Sequence, residues 1–259
     1  MTNERRVLVH PDAASLAASV AARFLTKVID LLDERETIQV CLTGGSMGIA
    51  VLASVSANPA REGVDWSRVG FWWGDERYLP RGDAERNETQ ARAALLDALD
   101  LPATNLHAFP ATGEHMSIEA AADAYAAELG DTVFDITFLG VGPDGHVASL
   151  FPDHATVLET TKTVVAETNS PKPPPERLSL TLPVINASER IWLVMSGADK
   201  AGALGLALAD ANVASVPVAG VRGRKRTVFF VDQDAAAELP EGLLDREKYW
   251  TASDEGPSD

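Results

Sequence analysis

Short apolar runs alternate with Ala-rich stretches of helical period along most of this chain, and that alternation limits its fold more than any other feature. Residues 6–10, 38–42, 69–73, 135–141, 163–167, 177–182, 191–195 and 227–231 read as strands. After Asp12, a residue type that caps helix starts, Leu16, Val20, Phe24, Val28 and Leu31 recur at helical spacing and predict a helix to about residue 34. Further helices are expected near 49–56, 87–99, 117–129 and 200–209, with a charged loop over 74–86. The run at 38–42 is short and apolar, as in strands buried on both faces. The pattern specifies an α/β class: a Rossmann-like, mostly parallel sheet with helices on both faces. One domain is expected over residues 1–259, with the polar end, from about residue 250, frayed. Residues 169–176, with Pro171, Pro173, Pro174 and Pro175, read as a stiff, extended surface connection, because strand patterns resume on both sides.

Charge removes several functions. The net charge is −16, with 38 acidic against 22 basic residues, which argues against a nucleic-acid surface or an anionic membrane. An anionic small molecule can still bind where local donors gather, so the placement of the few Arg and Lys residues is informative. The single cysteine, Cys41, lies between Val40 and Leu42 and reads as core, with no intrachain disulfide possible. The first residues lack a signal-peptide run, and no stretch approaches the ~18 apolar residues of a membrane helix. The cytoplasm is the expected compartment.

In a parallel sheet the site lies beyond the carboxyl ends of the strands. That rule selects the loops 43–48, 74–81, 142–152 and 196–200. In Thr43-Gly-Gly-Ser-Met-Gly48, Gly44 and Gly45 permit close approach of a ligand, and free amides at a helix start around Ser46 favour an anion such as phosphate. The same residues match the G-x-S-x-G elbow of serine hydrolases. Only about two strands precede Ser46, fewer than that fold requires, so the anion-binding reading is preferred.

Gly140-Val-Gly-Pro-Asp-Gly-His146 matches the dinucleotide pattern G-x-G-x-x-G. Its context fails: Asp144 would face a pyrophosphate, and Pro152 cuts the following helix short. No cofactor is expected. His146 on such a loop suits a general acid or base, with Asp144 two residues earlier to orient the imidazole. The remaining histidines, His10, His107, His115 and His154, show no metal-ligand spacing, so no metal site is expected. Asp75, Glu76 and Arg77 follow directly on an apolar strand, and Arg77 suits bidentate binding of phosphate or carboxylate. Arg177 and Lys200 are further candidate phosphate donors, while Arg222, Arg224 and Arg226 are left open between site and surface.

Together, Leu42-Thr-Gly-Gly-Ser46, Trp73-Gly-Asp-Glu-Arg-Tyr-Leu-Pro80, Leu139-Gly-Val-Gly-Pro-Asp-Gly-His-Val-Ala-Ser-Leu-Phe-Pro152, Arg177-Leu-Ser-Leu-Thr181 and Ser196-Gly-Ala-Asp-Lys-Ala201 resemble the 6-phosphogluconolactonase family. They keep the family's order and span most of the chain. The resemblance implies a metal-free hydrolase that opens 6-phospho-D-glucono-1,5-lactone in the oxidative pentose phosphate pathway, on a fold shared with glucosamine-6-phosphate deaminase. It implies His146, Asp144 and Asp75 as catalytic residues, and Gly44, Gly45, Ser46, Arg77, Arg177 and Lys200 as substrate contacts. Asn87 is similar to a family position beside the substrate. The partner is a small sugar-phosphate lactone, and a monomer or small homo-oligomer is expected. In the deaminase a glutamate follows the histidine by five positions; here that position is Phe151, which favours the lactonase. Asp75 matches the deaminase's proton-abstracting aspartate and does not discriminate. A non-catalytic sugar-phosphate sensor is the third reading, and no DNA-binding module is visible beside it.

Overall fold

The computed structural model describes residues 4–115 and 117–239; the end expected to fray lies outside the described residues. Strand β1 (Glu4–His10) leads into helix α1 (Ala13–Glu34), whose N-cap Asp12 accepts the amide of Ser15 at 2.7 Å. Then come β2 (Ile38–Leu42), α2 (Gly45–Ala57), β3 (Val69–Trp73), β4 (Asp75–Arg77), α3 (Asn87–Ala94) and β5 (Leu106–His107). Helix α4 (Ile118–Leu129), capped by Ser117, precedes β6 (Ile136–Gly140), β7 (Val164–Glu167) and β8 (Arg177–Leu180). The described chain closes with α5 (Leu182–Ala187), β9 (Arg190–Met195), α6 (Ala201–Leu208), β10 (Arg226–Asp232) and α7 (Gln233–Ala236).

Seven strands form a parallel sheet in the order β1-β10-β9-β6-β2-β3-β5. Every residue of β3, and all but the first of β9 and of β10, is buried, so these strands are covered on both faces. The α1 stripe supplies Leu16, Val20, Phe24 and Val28 to the core, all with no exposed surface. Phe24 meets Phe138 edge-on, with ring centroids 5.4 Å apart. No helix among the described residues is long and apolar enough to cross a membrane.

Three expectations need correction. The strands expected at 163–167 and 177–182 do not join the main sheet. They form β7 and β8 of a separate antiparallel sheet, β4-β8-β7. The proline segment between them is too short for a parallel crossover, which takes a dozen or more residues, and makes them antiparallel neighbours. The charged loop expected at 74–86 contains a strand: Asp75, Glu76 and Arg77 pair with Ser179, Leu178 and Arg177. Its polar sequence hid it, because it is held by the pairing partner and not by its own apolarity. The run at 177–182 ends at Leu180, and Leu182–Ala187 turns helical with Pro183 in the first turn, where its fixed φ fits.

The α1 packing carries a direct test. Phe24→Ala is expected to cost about 3–5 kcal/mol in urea unfolding, because the rings of Phe138 and Trp66 cannot close the void.

Candidate active site

The carboxyl ends of β2, β3, β6 and β9 open into one cavity of about 190 Å³. The chain that leaves β2 lines it with Thr43, Gly44, Gly45 and Ser46, and the start of α2 turns its first amides there. Helix α2 begins four residues earlier than expected, so the glycine loop is itself the helix N-terminus. Asp75 and Arg77 enter from β4, Asn87 from α3, His146 from the loop after β6, Arg177 from β8 and Lys200 from the turn before α6. Asp144 stands behind His146. All nine positions singled out from the sequence therefore meet at one sheet edge. Arg222, Arg224 and Arg226 do not line this cavity: Arg222 pairs with Asp210, and Arg226 faces a separate groove beside α1.

His146 Nδ1 lies 2.6 Å from Asp144 Oδ1. Burial opposes the charge of Asp144, but hydrogen bonds from His146, its charge and that of Lys172 outweigh it and hold the carboxyl at about 2. A carboxylate only accepts, so Nδ1 carries the proton and Nε2 is left as the basic nitrogen. Gly142 must be glycine here: a Cβ would stand 2.0 Å from His146 Nδ1. The amides of Gly142 and Gly145, candidates for oxyanion donors, are already bonded to the carbonyls of His146 and Gly142. Arg77 is a further candidate, and its Nη1 is tied to the Glu85 carbonyl at 2.5 Å.

Arg177 is buried, and its guanidinium donates to the carbonyls of Lys172, Pro173 and Pro174 at 3.1–3.2 Å. Among the described residues it has no carboxylate within ion-pair distance. Its cation is thus fixed in place without being neutralised, and burial lowers its pKa. The proline segment, read as a surface connection, is the cradle that holds this side chain, and it also brings Lys172 to the cavity.

Asp75 is buried and held from two sides. Ser149 Oγ donates to its Oδ2 at 2.7 Å, and Asn87 Nδ2 to its backbone carbonyl at 2.8 Å. Asn87 Oδ1 has no partner and lies where a Cβ on Gly44 would come, 1.9 Å away, so the close approach of α3 to the glycine loop requires Gly44. Glu76, pointing away from the cavity, accepts the amides of Arg77, Asn87 and Glu88 at 2.6–2.9 Å and so pins the start of α3. Ser149 and Lys172 were missed in the sequence, and Glu76 was noted there without a role. Ser149 stood within the motif around His146, whereas nothing local marks Lys172 among its prolines.

A family profile described as Glucosamine-6-phosphate isomerases/6-phosphogluconolactonase matches residues 11–230. The chain belongs to this family. It is 48% identical over 255 residues to a 6-phosphogluconolactonase of Streptomyces coelicolor, covering 94% of this chain and 98% of the relative. A crystal structure of 6-phosphogluconolactonase from Thermotoga maritima superposes with a TM-score of 0.78 at 28% identity, over 88% of this chain and 100% of that one. A monomeric glucosamine-6-phosphate deaminase shares the fold alone, at 20% identity, with a TM-score of 0.75 over 90% of this chain and 99% of that one. The family's description thus names both isomerases and a lactonase.

The buried helix anchor predicts a pH effect. Burial pushes Glu76 from 4.5 up to about 7, against the pull of Arg86 and three backbone amides. A carboxyl with a raised folded-state pKa favours the fold most when protonated, so its contribution is lost as pH rises from about 4.5 through about 7. Urea unfolding at stepped pH is expected to show that decline in the wild type and a flatter profile across the same window in Glu76→Gln.

Proposed function

We propose that this chain hydrolyses 6-phospho-D-glucono-1,5-lactone to 6-phospho-D-gluconate in the oxidative pentose phosphate pathway, with His146 as general base. The observation that carries the reading is His146, oriented through Nδ1 by Asp144, on a cavity that also holds an un-neutralised Arg177. A lactone is an activated ester, so one placed water and one base suffice. Nε2 of His146 takes a proton from the water as its oxygen bonds to C1. The C1–ring-oxygen bond then breaks, and the imidazolium returns the proton to the departing oxygen. Arg77 offers charge to the developing oxyanion. The α2 amides around Gly44, Gly45 and Ser46, with Arg177 and Lys200, hold the 6-phosphate, and that grip fixes C1 against the water. Asp75, held by Ser149 and Asn87, faces the substrate hydroxyls.

The deaminase reading is disfavoured by Phe151. Its ring is buried 4.7 Å from the His146 ring, where it can neither give nor take a proton. The two readings separate in one pair of assays. Fresh lactone, supplied by glucose-6-phosphate dehydrogenase, is expected to hydrolyse faster than its spontaneous rate, with no ammonia released from glucosamine 6-phosphate. Ammonia release without lactone hydrolysis would reverse the assignment, and neither activity would point to a binding protein.

Residue roles are tested by variants. His146→Ala is expected to lower kcat by about 10²–10⁴-fold in a folded protein. Arg177→Ala and Lys200→Ala are expected mainly to raise KM for the lactone. Near-normal kcat in His146→Ala, or loss of kcat alone in both cation variants, would contradict these roles.

A further inference from the structure

Phe151 is 1% exposed, yet it does not belong to the contiguous apolar core. Its aromatic and cationic partners are polar or charged. The imidazole of His146 is 4.7 Å away at 42°, that of His154 is 5.8 Å away at 55°, and Arg177 Cζ lies 5.8 Å from its centroid. Each neighbour is anchored independently: His154 Nδ1 on Glu167 Oε2 at 2.9 Å, Arg177 on three carbonyls, and His146 on Asp144.

The backbone is bent on both sides of this ring. Val147 bridges Val141 and Leu150, and Ala148 between them sits at φ 50°. Asp153, just beyond Phe151, sits at φ 61°. Positive φ is costly for residues other than glycine, and such conformations persist where surrounding contacts over-determine them.

We propose that Phe151 is a positioning residue: its ring braces the imidazole of His146 against rotation and joins it to Arg177, so that the base and the phosphate-holding cation keep one fixed relation. The hydrogen bond to Asp144 leaves the imidazole free to swing about that single contact. A ring beside it removes that freedom. The same ring offers its negative face to the Arg177 guanidinium, within the range at which such contacts attract. Phosphate held by Arg177 and water activated by His146 are then set at a constant separation, the geometry on which the rate advantage of a bound substrate depends. This inference rests on the reading of His146 as base.

The test compares Phe151→Leu with the ring-retaining Phe151→Tyr in the full chain. In Phe151→Leu, kcat is expected to fall about 10–100-fold while KM for the lactone stays within about threefold, and Phe151→Tyr restores most of the rate. Imidazole 15N shifts supply a readout that packing alone would not move. Wild type and Phe151→Tyr are expected to show His146 in the Nδ1-protonated tautomer, and Phe151→Leu a mixture. If Phe151→Leu does not fold, Phe151→Met carries the same comparison. Wild-type kcat in the non-aromatic variant, or an unchanged tautomer with kcat reduced only in step with thermal stability, would overturn the proposal. The 15N measurement needs no turnover, so a wild type inactive on the lactone would sink the proposed function without deciding the role of Phe151.

Discussion

The contact on which the site depends is the 2.6 Å hydrogen bond between Asp144 and His146 Nδ1. It sets which nitrogen of the imidazole is basic. Its geometry is inherited from the sheet. Strand β6 lies in the interior of the parallel sheet between β9 and β2, so the chain that leaves it starts from a rigid position. The Gly140 amide, bonded to Thr43 Oγ1 at 3.1 Å, ties the end of β6 to the end of β2 just before the glycine loop. His146 and the glycine loop that starts α2 are therefore fixed to each other through two adjacent strand ends, not through the loops alone.

Electrostatics complete the site in a chain whose overall charge would repel a phosphorylated ligand. With a net charge of −16, the long-range field opposes approach, and salt in the cell screens it over about 8 Å. Under the proposed function, capture falls to local cations: Arg77, Lys172, Arg177 and Lys200 all line one cavity. Arg177 is held by neutral carbonyls, which order it without cancelling its charge, whereas a carboxylate partner would do both. The small antiparallel sheet is what makes this possible. It carries Arg177 on β8 opposite Arg77 on β4 and closes the proline segment over the guanidinium.

Much of this was legible in the sequence because its causes are local. Apolar strand runs, the Asp12 cap and glycines at strand ends each act within a few residues, so the parallel sheet and the residues of its carboxyl edge could be read directly. What was illegible depends on partners far along the chain. Asp75, Glu76 and Arg77 are a strand only because residues 177–179 pair with them. Residues 169–176 read as a surface connection because prolines signal extension, while their role comes from carbonyls that converge on Arg177. The engagement of the Gly142 and Gly145 amides follows from the tight turn around His146, which spacing does not reveal.

The central claim is that water, activated by His146, attacks the lactone carbonyl directly. A single turnover in H2¹⁸O, with enzyme in excess over lactone, tests it. The account predicts one ¹⁸O atom in the C1 carboxylate of the product and none in the protein. An unlabelled product carboxylate, with the label carried on an enzyme side chain such as Asp75, would show a covalent intermediate and contradict it.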